Sequence, residues 1–305
     1  MGVDVFSSVW RFARIGALLS LVSVAYADMS VEHSQGTTQV KTPLDTVLTY
    51  DLATLDTLDT LGVQVTGLPQ AVLPERLKKY RSDKYINIGS LFEPDYEVVA
   101  SLQPDLIVIA NRSSKAYKDL SALAPTIDLT VWGDGFIDQF KSITRTLGRL
   151  FDKSDIVEQR LKVLDQDIAR TKKLAKSSGK SLIIMTNGGK LSAYGKGSRF
   201  GWLHTELGFE PAVAEFKKGP HGDPISFEYL LDVDPDVIFV VDRDGAIDVA
   251  NGAARATLDN DLVKRTKAYK NNRIIYLDSA NWYVVVSGLS TVEQMVAEVA
   301  KGVSN

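Results

Sequence analysis

The sequence predicts an α/β protein of two lobes with parallel sheets, joined by a long rigid α-helix, with a ligand cleft between the lobes. Three observations predict it. Two segments echo one another at a fixed offset, short apolar runs alternate with helical patterns, and one amphipathic stretch divides the two halves. The 305 residues suffice for about two domains. A composition of 45% hydrophobic and 24% charged residues is that of a globular chain, not of a disordered tail, a collagen or a coiled coil.

The elements follow in chain order. Arg11 and Arg14 precede the apolar run Ile15–Val24, and Ala25-Tyr26-Ala27 is an A-x-A cleavage site. That is the pattern of a secretory signal peptide over residues 1–27, too short to span a membrane. No cysteine follows the apolar run, so a lipoprotein anchor is not expected and the destination is the periplasm or the exterior. Residues 28–42 are polar and without period, and read as a flexible lead-in. Residues 43–153 form a first α/β lobe, with strand candidates at 46–50, 63–68, 106–110 and 126–129. Residues 154–178 form the connecting helix. Val157, Leu161, Leu164 and Ile168 make its apolar stripe, Ser154 is placed to cap its start, and Lys172, Lys173 and Lys176 suit its negative end. Residues 179–305 form the second lobe, with strand candidates at 181–185, 191–194, 237–241 and 274–277. Strands alternating with helices imply parallel sheets, and hence two Rossmann-like lobes.

The echo pairs Glu97, Pro104, Asp105 and Arg112 with Glu228, Pro235, Asp236 and Arg243, each 131 residues apart. Each copy reads as a short helix, a Pro-Asp turn, a buried strand and an arginine just past it. Ligands of open α/β sheets bind beyond the carboxyl ends of the strands, where Arg112 and Arg243 fall. Arg199, in the Gly-rich turn Gly195–Gly201, is a third candidate. Converging arginines select an oxygen-rich anion, whereas any one alone is as well explained by a surface ion pair. His221, in the Gly-Pro-His-Gly loop, is a candidate ligand or a hydrogen-bonding loop residue. Tyr283, after the last strand, is a hard oxygen ligand suited to ferric iron or a packing aromatic. Trp202 and Trp282 stand beside Arg199 and Tyr283 and are grouped with the ligand-binding residues. His204 reads as structural, and His33 receives no role.

Composition excludes much. With no cysteine there is no disulfide scaffold, thiolate metal site or cysteine nucleophile. Three histidines make a zinc or manganese cage a poor reading, and a net charge of −3 gives no field for nucleic acid. No G-x-G-x-x-G, Walker A or G-x-S-x-G motif favours a nucleotide-binding or hydrolytic enzyme, so a two-lobed glycosyltransferase is the weak alternative.

Gly89–Glu97 followed by Leu102–Ile109, and Ser226–Arg243, resemble the paired signatures of the helical-backbone (class III) periplasmic binding proteins. These serve ABC importers of ferric siderophores, haem and cobalamin. The resemblance spans roughly residues 44–303 and is closer to the catecholate-siderophore branch. It implies no enzyme activity, no intrinsic cofactor, Fe(III) arriving within the ligand, and a monomer. It places Arg112, Arg199 and Arg243 as the cleft triad, His221 and Tyr283 as direct iron ligands, and Glu97 and Glu228 as contacts to the inner-membrane permease. Haem, cobalamin or another ferric chelate on the same scaffold is the alternative cargo.

Overall fold

The computed structural model describes residues 1–2, 27–216, 221–247 and 252–304. The signal-peptide assignment falls almost wholly outside the described residues. Among the described residues no helix is long and apolar enough to cross a membrane.

Residues 28–42, expected as a flexible lead-in, are instead structured. Strand β1 (Ala27–His33) pairs antiparallel with β2 (Gly36–Thr42). Val31 and Val40 are buried, while Ser34 and Thr38 hydroxyls donate to the carbonyls of Asp128 and Thr126. The hairpin was not legible as an apolar alternation because side-chain hydrogen bonds hold it to its neighbour as much as apolar burial does.

The first lobe contains β3 (Val47–Thr49), α1 (Leu52–Thr60), β4 (Gly67–Gln70), β5 (Ile86–Ser90), α2 (Tyr96–Leu102), β6 (Leu106–Ile109), α3 (Tyr117–Ser121), β7 (Thr126–Asp128) and α4 (Phe136–Leu150). Its sheet is wholly parallel, in the order β5-β4-β3-β6-β7. Helix α5 (Ser154–Lys176) follows, with Val157, Leu161, Leu164 and Ile168 buried as its stripe requires. Ser154 is its first helical residue and not its cap. Lys153 holds the cap position and no side chain bonds there.

The second lobe contains β8 (Lys180–Asn187), β9 (Lys190–Tyr194), α6 (Trp202–Thr205), β10 (Glu210–Pro211), β11 (Asp223–Ile225), α7 (Phe227–Val233), β12 (Val237–Asp242), α8 (Arg243–Ile247), α9 (Ala254–Leu258), α10 (Asp261–Lys264), α11 (Lys267–Lys270), β13 (Ile274–Leu277) and α12 (Leu289–Val303). Its sheet runs β11-β9-β8-β12-β13, with β10 beside β8. This sheet is mixed, not parallel, because β9 is antiparallel to both neighbours. Gly188 and Gly189, at φ 54° and 75°, make the two-residue turn that reverses the chain between β8 and β9.

The 131-residue echo is structural. Asp95 and Ser226 cap α2 and α7 by accepting from the third backbone N–H onward. Both helices stop at a left-handed residue, Gln103 (φ 47°) and Asp234 (φ 44°). The aspartate of each Pro-Asp pair then ties two strands together. Asp105 accepts from Asp45 and Thr46 ahead of β3, and Asp236 accepts from Lys180 at the start of β8.

Candidate ligand cleft

In the first sheet the strand order reverses between β3 and β6, so the chain leaves their carboxyl ends in opposite directions and opens a crevice. Tyr50 and Asp51 follow β3, and Ala110, Asn111 and Arg112 follow β6. All five line a cleft of about 600 Å³ with Arg199, Trp202 and Tyr283 of the second lobe. Asp51 caps α1, accepting from the Thr54 N–H and hydroxyl, both at 2.8 Å. Burial raises its carboxyl above the usual range, against those bonds and the charge of Arg112.

The three arginines converge on one residue. Arg112 donates to the carbonyls of Tyr283 (3.0 Å) and Val284 (3.2 Å). Arg199 donates to the same Tyr283 carbonyl at 3.0 Å. Arg243 donates from Nε to the Tyr283 hydroxyl at 2.9 Å and from its other arm to the Asn187 side-chain carbonyl at 3.1 Å. Their guanidinium carbons lie 6.0, 4.8 and 5.7 Å from the Tyr283 ring centre, within cation–π range. Burial pulls the Arg199 pKa below its ordinary value, and the positive charge of Arg112 adds to the shift. Arg199 Nε and Trp202 Nε1 are buried without a hydrogen-bond partner. A partly desolvated cluster of positive charge with a spare donor on Arg199 gains most from an oxygen-rich anion.

Tyr283 sits in the π-helical turn Ala280–Val285. Wider winding of this kind is frequent at functional sites. The turn ends at Val286, with φ 68° and ψ −65°. The Ser287 N–H donates to the Val285 carbonyl at 2.9 Å across it, closing a strained γ-turn on the cleft wall.

The other sequence-derived residues are placed as follows. Trp202 lines the cleft. Trp282, expected beside the ligand, does not: it is fully buried behind Trp202, stacked on it at 5.3 Å, and its indole N–H donates to Glu298. The winding of the turn sends these adjacent aromatics in different directions, so Tyr283 faces the cleft edge and Trp282 the core. His221 is exposed and is not among the lining residues. Its carbonyl accepts from the Tyr194 hydroxyl at 3.0 Å. Arg243 also lies outside the lining and reaches the site through the Tyr283 hydroxyl. His204 is structural, buried with its ring bonded to the Phe209 carbonyl. Glu97 and Glu228 are exposed in the first turns of α2 and α7. The Glu228 backbone N–H and the Ser226 hydroxyl hold its carboxyl below the usual range. Among the described residues no group of three or more His, Asp and Glu forms a metal cage.

Leu91, Phe92 and Trp132 also line the cleft, and the sequence alone assigns them no cleft role. The only available signal was their position in loops after strands β5 and β7.

The chain matches the periplasmic binding protein family over residues 47–280 and belongs to it. It is therefore a substrate-binding protein and not an enzyme. It is 43% identical over 279 residues to the petrobactin-binding protein YclQ of Bacillus subtilis, covering 90% of this chain and 88% of that one. The crystal structure of YclQ superposes with a TM-score of 0.87 at 42% identity, over 92% of this chain and 99% of that one. The periplasmic catecholate-siderophore binding protein VctP of Vibrio cholerae gives a TM-score of 0.83 at 37% identity, over 90% and 99%. The ferric-anguibactin-binding protein FatB of Vibrio anguillarum is 30% identical over 278 residues, or 89% of this chain and 86% of that one.

Proposed function

We propose that the chain captures ferric catecholate siderophores outside the cytoplasm and delivers them to the permease of an ABC importer. The convergence of Arg112, Arg199 and Arg243 on Tyr283 carries this reading. Three catecholate dianions on Fe³⁺ leave a net charge of −3, which three guanidinium groups offset in a partly desolvated site. A tetradentate chelate leaves two iron positions open. The Tyr283 oxygen fills one, and His221, on its loop tied to Tyr194, fills the other. The similarity to VctP, a catecholate-siderophore binding protein, supports the catechol assignment, and the similarity to the petrobactin-binding YclQ supports a protein of this transport class. Residues 1–27 direct export, with cleavage after Ala27, and the chain acts as a monomer. Exposed Glu97 and Glu228, at equivalent places on the two lobes, dock the permease.

A fluorescence titration tests this, because Trp132 and Trp202 line the cleft. Ferric bis- and tris-catecholates are expected to give saturable quenching and a broad visible charge-transfer band. Quenching by haem or a ferric hydroxamate alone would overturn the catechol assignment. The paired variant Glu97→Arg, Glu228→Arg is expected to keep the titration and lose uptake, and lost binding would refute a docking role.

A further inference from the structure

Phe92 and Trp132 are among the most exposed large apolar side chains of the protein, at 67% and 49%. Both line the cleft that holds Arg112 and Arg199. Neither hangs from a loose loop. Phe92 stands on a turn in which the Ser90 hydroxyl accepts from the N–H groups of Phe92 (3.2 Å) and Glu93 (3.0 Å). Gly89, at φ 111°, lets that turn close, since a Cβ there would lie 2.5 Å from the Glu93 carbonyl. Trp132 is held by the side-chain amide of Gln139, which accepts from its N–H at 3.1 Å and donates to its carbonyl at 2.9 Å. Two large rings thus stand on hydrogen-bonded backbone, exposed at the mouth of a charged cleft. An aromatic side chain has only two rotatable bonds, so covering it costs little conformational entropy and its apolar area converts efficiently into affinity.

We propose that Phe92 and Trp132 form a second subsite, which grips the apolar arm linking the metal-binding groups of the chelate. This rests on the cleft being a ferric-chelate site. The second lobe and Arg112 then read the charged, oxygen-rich metal centre, while the outer wall of the first lobe reads the hydrocarbon between its catechols. Chelates with identical metal centres are discriminated by their linkers.

The experiment uses two synthetic ferric bis-catecholates with the same metal centre and linkers of equal length, one polymethylene and one oligoether. The wild-type protein is expected to bind the polymethylene chelate roughly tenfold more tightly or better, the value of covering one ring. The Phe92→Ala, Trp132→Ala double variant is expected to bring the two within about twofold by weakening only the polymethylene complex, and Trp132→Phe to keep most of the preference. Both rings are exposed, so thermal unfolding of the variants should match the wild type. A wild-type protein that binds both chelates without preference overturns the subsite and leaves the cleft reading standing. One that binds neither overturns the cleft reading and the subsite with it. Equal weakening of both complexes, or unchanged binding with lost uptake, also overturns the subsite, the latter marking the rim as a permease contact.

Discussion

Tyr283 holds the arginines with two different atoms, and only one belongs to its side chain. Its carbonyl accepts from Arg112 and Arg199, and its hydroxyl accepts from Arg243. Tyr283→Phe therefore keeps two of the three anchors and the ring face over which Arg199 lies. Binding of a hexadentate tris-catecholate, which needs charge but no protein ligand to iron, is expected to stay close to wild type. Binding of a tetradentate bis-catecholate is expected to fall about tenfold or more, the scale of losing one charge-assisted bond. Competition titration of both chelates checks this, and equal losses would sink the direct-ligand role. The arginines after β6 and β12 were legible because the echo put each at the end of a Pro-Asp strand. Trp282 was misplaced because spacing alone does not tell which of two adjacent aromatics faces a cleft.

At the scale of elements, the sequence was informative wherever burial is two-sided. Continuous apolar runs such as Leu106–Ile109 and Val237–Val241 are buried throughout, and a strand covered on both faces has no polar side to blur its signal. Strand β5, whose ends are exposed or half-buried, carried no such run. The Asn187-Gly188-Gly189-Lys190 turn carries a hairpin signal that a reading of alternating helices and strands leaves out. The hairpin at residues 27–42 was the largest departure. Val40 is fully buried within the cluster that includes Leu52, Val108 and Ile127. Val40→Ala is expected to cost about 2 kcal/mol, from lost burial plus the cavity left behind. Urea unfolding measures it, and an unchanged midpoint would return the segment to the status of a loose tail.

At the scale of the whole molecule, the lobes are joined by more than α5. The turn around Tyr283 sends Trp282 into one core cluster and Val284 and Val285 into another. Behind it lies a polar clasp. Asp56 of α1 is 1% exposed and accepts from Arg76 Nε at 2.7 Å, and from the Thr291 N–H (2.9 Å) and hydroxyl (3.1 Å) of α12. Arg76 donates onward to the Asn281 side chain at 2.7 Å, and the Thr57 hydroxyl accepts from the Leu289 N–H at 3.0 Å. Gly288 has no room for a Cβ beside the Asp56 carboxylate. A helix, an apolar turn and a buried ion pair together oppose wide opening of the cleft. Asp56→Ala removes the acceptor of Arg76 Nε and of both Thr291 donors, while the partly exposed Arg76 keeps its bond to Asn281. Losing this buried acceptor is expected to cost about 1–3 kcal/mol, read as a lowered urea midpoint. Because Asp56 does not line the cleft, the folded variant should still bind ferric catecholate. Its free form should scatter X-rays as a more expanded particle than the free wild type, and ligand should restore the compact dimension. A loss below about 1 kcal/mol, with identical scattering, would show that α5 and the turn hold the lobes without the clasp.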